Sequence, residues 1–235
     1  MLCKIADLLV EIPKAGGMPP RCGDYLAKEN QGSPDIIINE SKYRSRLYPD
    51  CNENSIAYIE SGFMFYIELM RFGGLMLHSS AVEYEGKAYL FSGPCGMGKS
   101  THARLWQQVF GPAAQVFNDD KPALRCMDDR WYAYGTPWCG KDGINQNKKV
   151  PLAGICFLKR GQENQIRRLS QQEAAIHILW QTQRYRVLEN LERHLPIVDK
   201  LATEIPVYEM CNNAMPDCAR LSYETMCRGA QEAGL

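Results

Sequence analysis

Gly93, Pro94, Cys95, Gly96, Met97, Gly98, Lys99 and Ser100 spell G-x4-G-K-[ST] in consecutive positions. That pattern constrains the fold because the chemistry it serves requires a strand entering the loop and a helix leaving it. Both are predicted here. Residues 87–92 are β-like, and residues 100–110 have helical character ended by Gly111. The glycines let successive backbone N–H groups turn inward onto phosphate oxygens, and the helix N-terminus adds a partial positive charge. Lys99 adds a full charge, and the Ser100 hydroxyl can ligate magnesium. Gly93 through Thr101 therefore form the candidate nucleotide-binding set. ATP or another nucleoside triphosphate, with Mg2+, is the implied ligand.

Asp119 and Asp120 follow Lys99 by about twenty residues, enough for one helix and one return strand. Residues 115–118 read as that strand and deliver both carboxylates at its carboxyl end, where ligands gather in open α/β sheets. Beside a triphosphate, one carboxylate can hold magnesium while the other accepts the proton of an attacking hydroxyl. Upstream, residues 75–84 and 87–92 flank Glu85-Gly86 and predict a tight hairpin in which paired numbers sum to 171. Val82 then faces Tyr89. His78 falls opposite Gly93, roughly 5 Å away by cross-strand spacing, and flanks the loop. The long connection 134–145 contains Trp138, Lys141 and Asn145, candidates for meeting the acceptor, since a loop of this length inside a compact domain is often functional.

The remaining pattern is mixed. Residues 1–53 are rich in turn formers (Gly16-Gly17, Pro19-Pro20, Gly32-Ser33-Pro34), with only residues 36–38 strand-like, and predict a small N-terminal α+β lobe. Residues 54–235 form the second unit. It opens on an amphipathic helix marked by Ile56, Ile59, Phe63, Tyr66, Ile67 and Met70 and stopped at Gly73-Gly74. Further on come a buried strand over 150–158 and a capping box at Ser170–Glu173 opening helical pattern that breaks near Pro196. A strand over 206–210 and a helix started by Pro216 close the chain.

With 235 residues, the chain fits one large domain or one domain with a modest extra lobe. Lys plus Arg and Asp plus Glu both number 27, a balance that lacks the basic footprint of nucleic-acid or anionic-membrane readers. No run approaches the ~18 apolar residues of a membrane span. The ten cysteines include no C-x2-C pair and read as free thiols, which points to a reducing cytoplasm.

Leu77-His78-Ser79-Ser80-Ala81, the hairpin, the 93–101 loop and Asn118-Asp119-Asp120 together resemble the catalytic core of bacterial HPr kinase/phosphorylase and of ATP-dependent phosphoenolpyruvate carboxykinase. These two families share one P-loop superfamily. The resemblance spans about residues 75–160 and lies in the order and spacing of histidine, loop and acidic pair. It implies an α/β fold, a mixed β-sheet P-loop kinase core with flanking helices and a small N-terminal lobe. It further implies that Lys99 contacts the β- and γ-phosphates, that Ser100 binds magnesium, and that His78, Asp119 and Asp120 line the reaction centre. By the same likeness Asp119 is the general base and Asp120 a metal ligand, with the reverse division left open. The HPr kinase signature continues with a Glu-Ile-Arg-Gly run, of which only Tyr134-Gly135 stands at the comparable place, so phosphorolysis and HPr as substrate are not implied. The chain also resembles small kinases that modify ribosomal peptides.

The expected activity is transfer of a γ-phosphoryl group to a hydroxyl, Ser or Thr of a protein or peptide. A small-molecule kinase and a non-catalytic nucleotide-binding regulator are the rival readings, and a homo-oligomer is compatible with either.

Overall fold

The structure, a computed structural model, describes residues 1–14, 17–28, 32–39, 52–182 and 188–235. Residues 15–16, 29–31 and 40–51 of the expected N-terminal lobe lie outside the described residues, as do residues 183–187. Strands β1 (Leu2–Ile5) and β2 (Leu8–Glu11) form a hairpin, the helical turn α1 (Met18–Arg21) follows, and β3 (Ile36–Ile37) joins β2 in parallel. The hairpin corrects the expectation of a single strand in this lobe. Its two-residue turn, Ala6-Asp7, takes positive φ at both positions without a glycine to signal it.

Helix α2 (Glu53–Leu69) starts where the Asn52 side chain accepts the Ser55 N–H, and the chain turns out of it at Gly73, which is left-handed with φ 67°. Then come β4 (Gly74–Met76), β5 (Ser79–Tyr84), β6 (Lys87–Ser92), α3 (Lys99–Phe110), β7 (Gln115–Asp120), β8 (Ala123–Met127) and β9 (Arg130–Tyr134). The chain continues through β10 (Lys149–Arg160), β11 (Gln165–Arg168), α4 (Gln171–Gln181), α5 (Leu188–Glu204), β12 (Val207–Asn212) and α6 (Pro216–Glu232). The run 75–84 is thus two strands rather than one, and β8, β9 and β11 have no counterpart in the sequence reading. Pro196 lies inside α5 and does not interrupt it. The Ser170–Glu173 capping box is present in both halves.

Nine strands make one curled mixed sheet, ordered β4-β8-β9-β10-β6-β5-β7, with β12 and then β11 added beside β10. The twelve-residue β10 explains the curl. Its start pairs antiparallel with β9, and past a bulge between Leu152 and Gly154 it runs parallel to both β6 and β12. The β5–β6 register follows the expected sum, from Val82 opposite Tyr89 to Ser79 opposite Ser92.

Alternation along the central strands feeds two cores, as side chains of period two must. Ala88 and Leu90 of β6 pack with Ile155, Phe157, Ile178 and Leu201 on the α4–α5 face. Tyr89 and Phe91 pack with Trp106, Cys156 and Met226 on the α3–α6 face. A third cluster joins the N-terminal strands to Phe65 and Tyr66 of α2 and to Ala123, Tyr134 and Trp138. Every described cysteine is a free thiol.

Candidate functional site

Residues 93–98 connect the end of β6 to the start of α3. Gly93, Gly96 and Gly98 have φ of 141°, 81° and 92°, backbone that side-chain-bearing residues rarely adopt. At Gly93 space is also short, because a Cβ there would stand 3.1 Å from the Leu158 carbonyl oxygen. Lys99 is buried, and its Nζ donates to the carbonyls of Gly93 at 2.9 Å and Pro94 at 3.3 Å. Burial lowers the pKa of that ammonium, against the pull of the Asp120 and Asp119 carboxylates. Helix α3 is pinned from behind. His102 Nε2 and the Trp106 indole N–H both meet Ser222 Oγ of α6 at 2.9 Å, and burial holds His102 neutral with its pKa lowered to about 3.

The acidic pair ends β7, which lies antiparallel to β5 with Ser80 opposite Asp119. Asp119 is buried. Its carboxylate accepts from Ser80 Oγ at 2.5 Å and from Ser100 Oγ at 2.9 and 3.1 Å. The first residue of the acidic pair is therefore the one joined to the first turn of α3.

Asp120 occupies a different setting. Its φ of 101° is strained for any residue but glycine, a cost of about 1–3 kcal/mol. Its oxygens meet His78 Nε2 at 3.3 Å, Lys121 Nζ at 3.0 Å and the Tyr58 hydroxyl at 3.3 Å. Burial would raise this carboxyl, yet His78 and Lys121 hold it well below the usual carboxylate range. Tyr58 in turn lies under two cations, Arg21 at 4.8 Å and Lys121 at 4.6 Å from its ring centroid.

His78 reaches this cluster by a route that differs from the expected one. The β5–β6 ladder stops at Ser79–Ser92, so His78 is not paired with Gly93. Instead its N–H donates to the Gln181 carbonyl and its own carbonyl accepts from Ser92 Oγ, both at 2.8 Å. These two bonds draw the backbone away from the strand and leave the ring facing Asp120.

The connection after β9 is tied down along its length. Asp120 bridges Cys139, Asn118 bridges Asn145, and the Gly140 N–H donates to the Asp119 carbonyl at 2.6 Å. Trp138 is fully buried, stacked on Phe65 at 4.7 Å with its indole N–H on Ser61. The Asn145 amide donates to the Arg21 carbonyl. Both side chains are spent on holding the connection, while Lys141 is exposed at its tip.

A family model described as "ScmC: SynChlorMet cassette protein ScmC" matches residues 49–213, 165 of the 235 residues. The chain belongs to the ScmC family. The matched span holds His78, the 93–100 loop and both aspartates of this ScmC chain, and leaves Arg21 outside. No curated protein matches it. Among solved structures, one titled "Structure of the Hpr(Ser) kinase/phosphatase from Coxiella burnetii" aligns at 12% identity and a TM-score of 0.35, covering 66% of this chain and 90% of that one.

Four residues of the ScmC site escaped the sequence reading. Lys121 and Ser80 were open to inference, one adjoining the acidic pair and one paired with Asp119 in register. Tyr58 and Arg21 come from α2 and α1, more than fifty residues away, and no local pattern marks them.

Proposed function

We propose that this chain is a magnesium-dependent phosphotransferase that moves the γ-phosphoryl group of ATP, or of another nucleoside triphosphate, to a Ser or Thr hydroxyl of a protein or peptide. The observation that carries the reading is the contact between Ser100 and Asp119. A hydroxyl from the first helical turn and a buried carboxylate share one position directly beside the glycine-rich loop and Lys99. Such all-oxygen donor pairs suit magnesium, which takes one or two carboxylates and completes its shell with water and phosphate oxygens. The order of His78, the 93–100 loop and the acidic pair, which resembles the P-loop core of HPr kinase/phosphorylase, supports the same activity.

In this reading the N–H groups of residues 93–100 and the Lys99 ammonium hold the polyphosphate, with Lys99 released from the Gly93 and Pro94 carbonyls it now contacts. Bound magnesium would offset charge on the phosphate oxygens. The hydrogen bonds favour Ser100 with Asp119 as its ligands, the reverse of the division drawn from the resemblance. Asp120 is then left to orient the acceptor hydroxyl, with His78 and Lys121 fixing its two oxygens. A carboxylate held this acidic is a weak base, which suits a loose transition state in which positioning supplies most of the rate.

The test is transfer of label from γ-labelled ATP, with magnesium, to the small proteins and peptides encoded beside the gene. Label should appear on an acceptor with the wild type and fall at least a hundredfold in Lys99→Ala, the scale of removing one electrostatic stabiliser. Undiminished transfer in both Lys99→Ala and Asp119→Asn would reject the assigned roles.

A further inference from the structure

Arg21 is half-buried, and among the described residues no carboxylate stands within ion-pair distance of its guanidinium. Its partners are neutral: the Cys139 carbonyl at 3.1 Å, the Cys139 Sγ at 2.9 Å and the face of the Tyr58 ring at 4.8 Å. Burial pushes the Cys139 thiol up, so that sulfur supplies no negative charge. Both hydrogen bonds leave from Nη1, and the Nη2 and Nε donors of the planar fork have no acceptor among the described residues. Lys121, the other cation over Tyr58, is by contrast matched by Asp120 at 3.0 Å. A cation drawn partly out of water without a counter-charge is costly, and a guanidinium fork suits a carboxylate in two parallel bonds.

Sheet order shows which substrate meets this cation. The glycine-rich loop leaves β6, the acids end β7 at the edge of the order β6-β5-β7, and the 139–145 connection runs outside β7 through the Asp120–Cys139 and Asn118–Asn145 bridges. Arg21, seated on Cys139, therefore stands across the acids from the loop. In-line phosphoryl transfer sets the attacking oxygen opposite the leaving oxygen, so the side away from the nucleotide is the acceptor's. Tyr58 gives the reach. Its hydroxyl shares the Cys139 carbonyl with Arg21, at 3.0 Å, and meets Asp120 at 3.3 Å. That span fits a side chain one or two positions from the reacting hydroxyl, since an extended peptide advances about 3.3 Å per residue.

Resting on the phosphotransferase reading above, we infer that Arg21 is an acceptor-recognition residue and that the site takes a Ser or Thr with a carboxylate one or two residues away. The carboxylate accepts from Nη2 and Nε, while Nη1 keeps its hold on Cys139. Acceptor choice then rests on α1, ahead of the 49–213 span that carries the loop and the acids.

Synthetic peptides with one serine, and with Glu, Gln or Lys at each neighbouring position in turn, test this on the full chain with γ-labelled ATP and magnesium. Each peptide is made as the free acid and as the amide. At one or two positions kcat/KM should favour Glu over Gln about tenfold, the scale of one charge-assisted hydrogen bond, and Arg21→Ala should bring that ratio to about one. Arg21→Lys should keep part of the preference, and Arg21→Glu should turn it toward Lys. A preference that follows the free acid instead of Glu assigns the guanidinium to the carboxylate that ends the acceptor chain. In the unmutated protein, added salt should raise KM for the favoured Glu peptide more than for its Gln counterpart. An unchanged ratio in Arg21→Ala, whether both rates hold or both fall, would make Arg21 a strut for the Cys139 carbonyl and overturn the inference while leaving phosphotransfer standing. Wild type that labels the peptides without regard to charge would overturn it equally. If no peptide of the set is labelled, the peptide-kinase reading falls first and the recognition site falls with it.

Discussion

Asp119 and Asp120 are adjacent in sequence and differ in every partner. Asp119 takes two hydroxyls, from Ser80 and Ser100, and Asp120 takes an imidazole, an ammonium and a phenol. Their substitutions should therefore separate in magnesium dependence. Asp119→Asn is expected to raise the magnesium concentration needed for half-maximal phosphotransfer about tenfold or more, because a neutral amide replaces the charged ligand. Asp120→Asn should lower the maximal rate and leave the magnesium requirement near that of the wild type. Titrating magnesium against rate at saturating ATP reads both, and a shifted requirement in Asp120→Asn alone would restore the opposite division. The residues of the loop and the acids were legible because their chemistry is written in consecutive positions. His78 was legible as a residue and misplaced as a geometry: cross-strand arithmetic carried it one step past the end of the ladder, where two hydrogen bonds bend the chain aside.

At the scale of elements, three two-residue hairpins among the described residues make the limits of the sequence concrete. Glu85-Gly86, Ala6-Asp7 and Asp128-Asp129 all turn with positive φ at both positions. Only the first contains the glycine that such turns favour, and only that hairpin could be read in advance. The other two place side-chain-bearing residues where the left-handed backbone costs about 1–2 kcal/mol each. Asp129→Gly should therefore stabilise the β8–β9 hairpin by about 0.5–1 kcal/mol, seen as a raised urea midpoint at unchanged slope. Its ion pair with Lys200 is long, at 3.4 Å, and exposed, so little opposes the gain. A lowered midpoint would show that Asp129 does more than turn the chain. Pro196 misled in the other direction. Proline usually breaks a helix, but α5 keeps Val198, Leu201 and Ala202 in the core beyond it, and that packing outweighs the one lost backbone bond.

Across the whole molecule, Trp138 joins parts that the sequence reading kept apart. It stands in one cluster with the N-terminal strands, with Phe65 and Tyr66 of α2 and with Tyr134 of β9, and Gly62 makes room for it, since a Cβ there would lie 2.9 Å from the indole ring. Trp138→Ala should cost about 3–5 kcal/mol in chemical denaturation. A cost below 1 kcal/mol would mean that the indole is not packed as described. The same cluster carries α1 and α2 to the acids, where Arg21 and Tyr58 reach Cys139 and Asp120. No described helix is long and apolar enough to cross a membrane. What unites these scales is the proposal that one loop of amides and one ammonium holds a nucleotide polyphosphate against Ser100 and Asp119. Calorimetric titration of the purified chain with ATP, with and without magnesium, reads it most directly. The expected result is saturable, magnesium-enhanced binding that is lost in Lys99→Ala; no heat at millimolar nucleotide, or equal binding by wild type and Lys99→Ala, would contradict it.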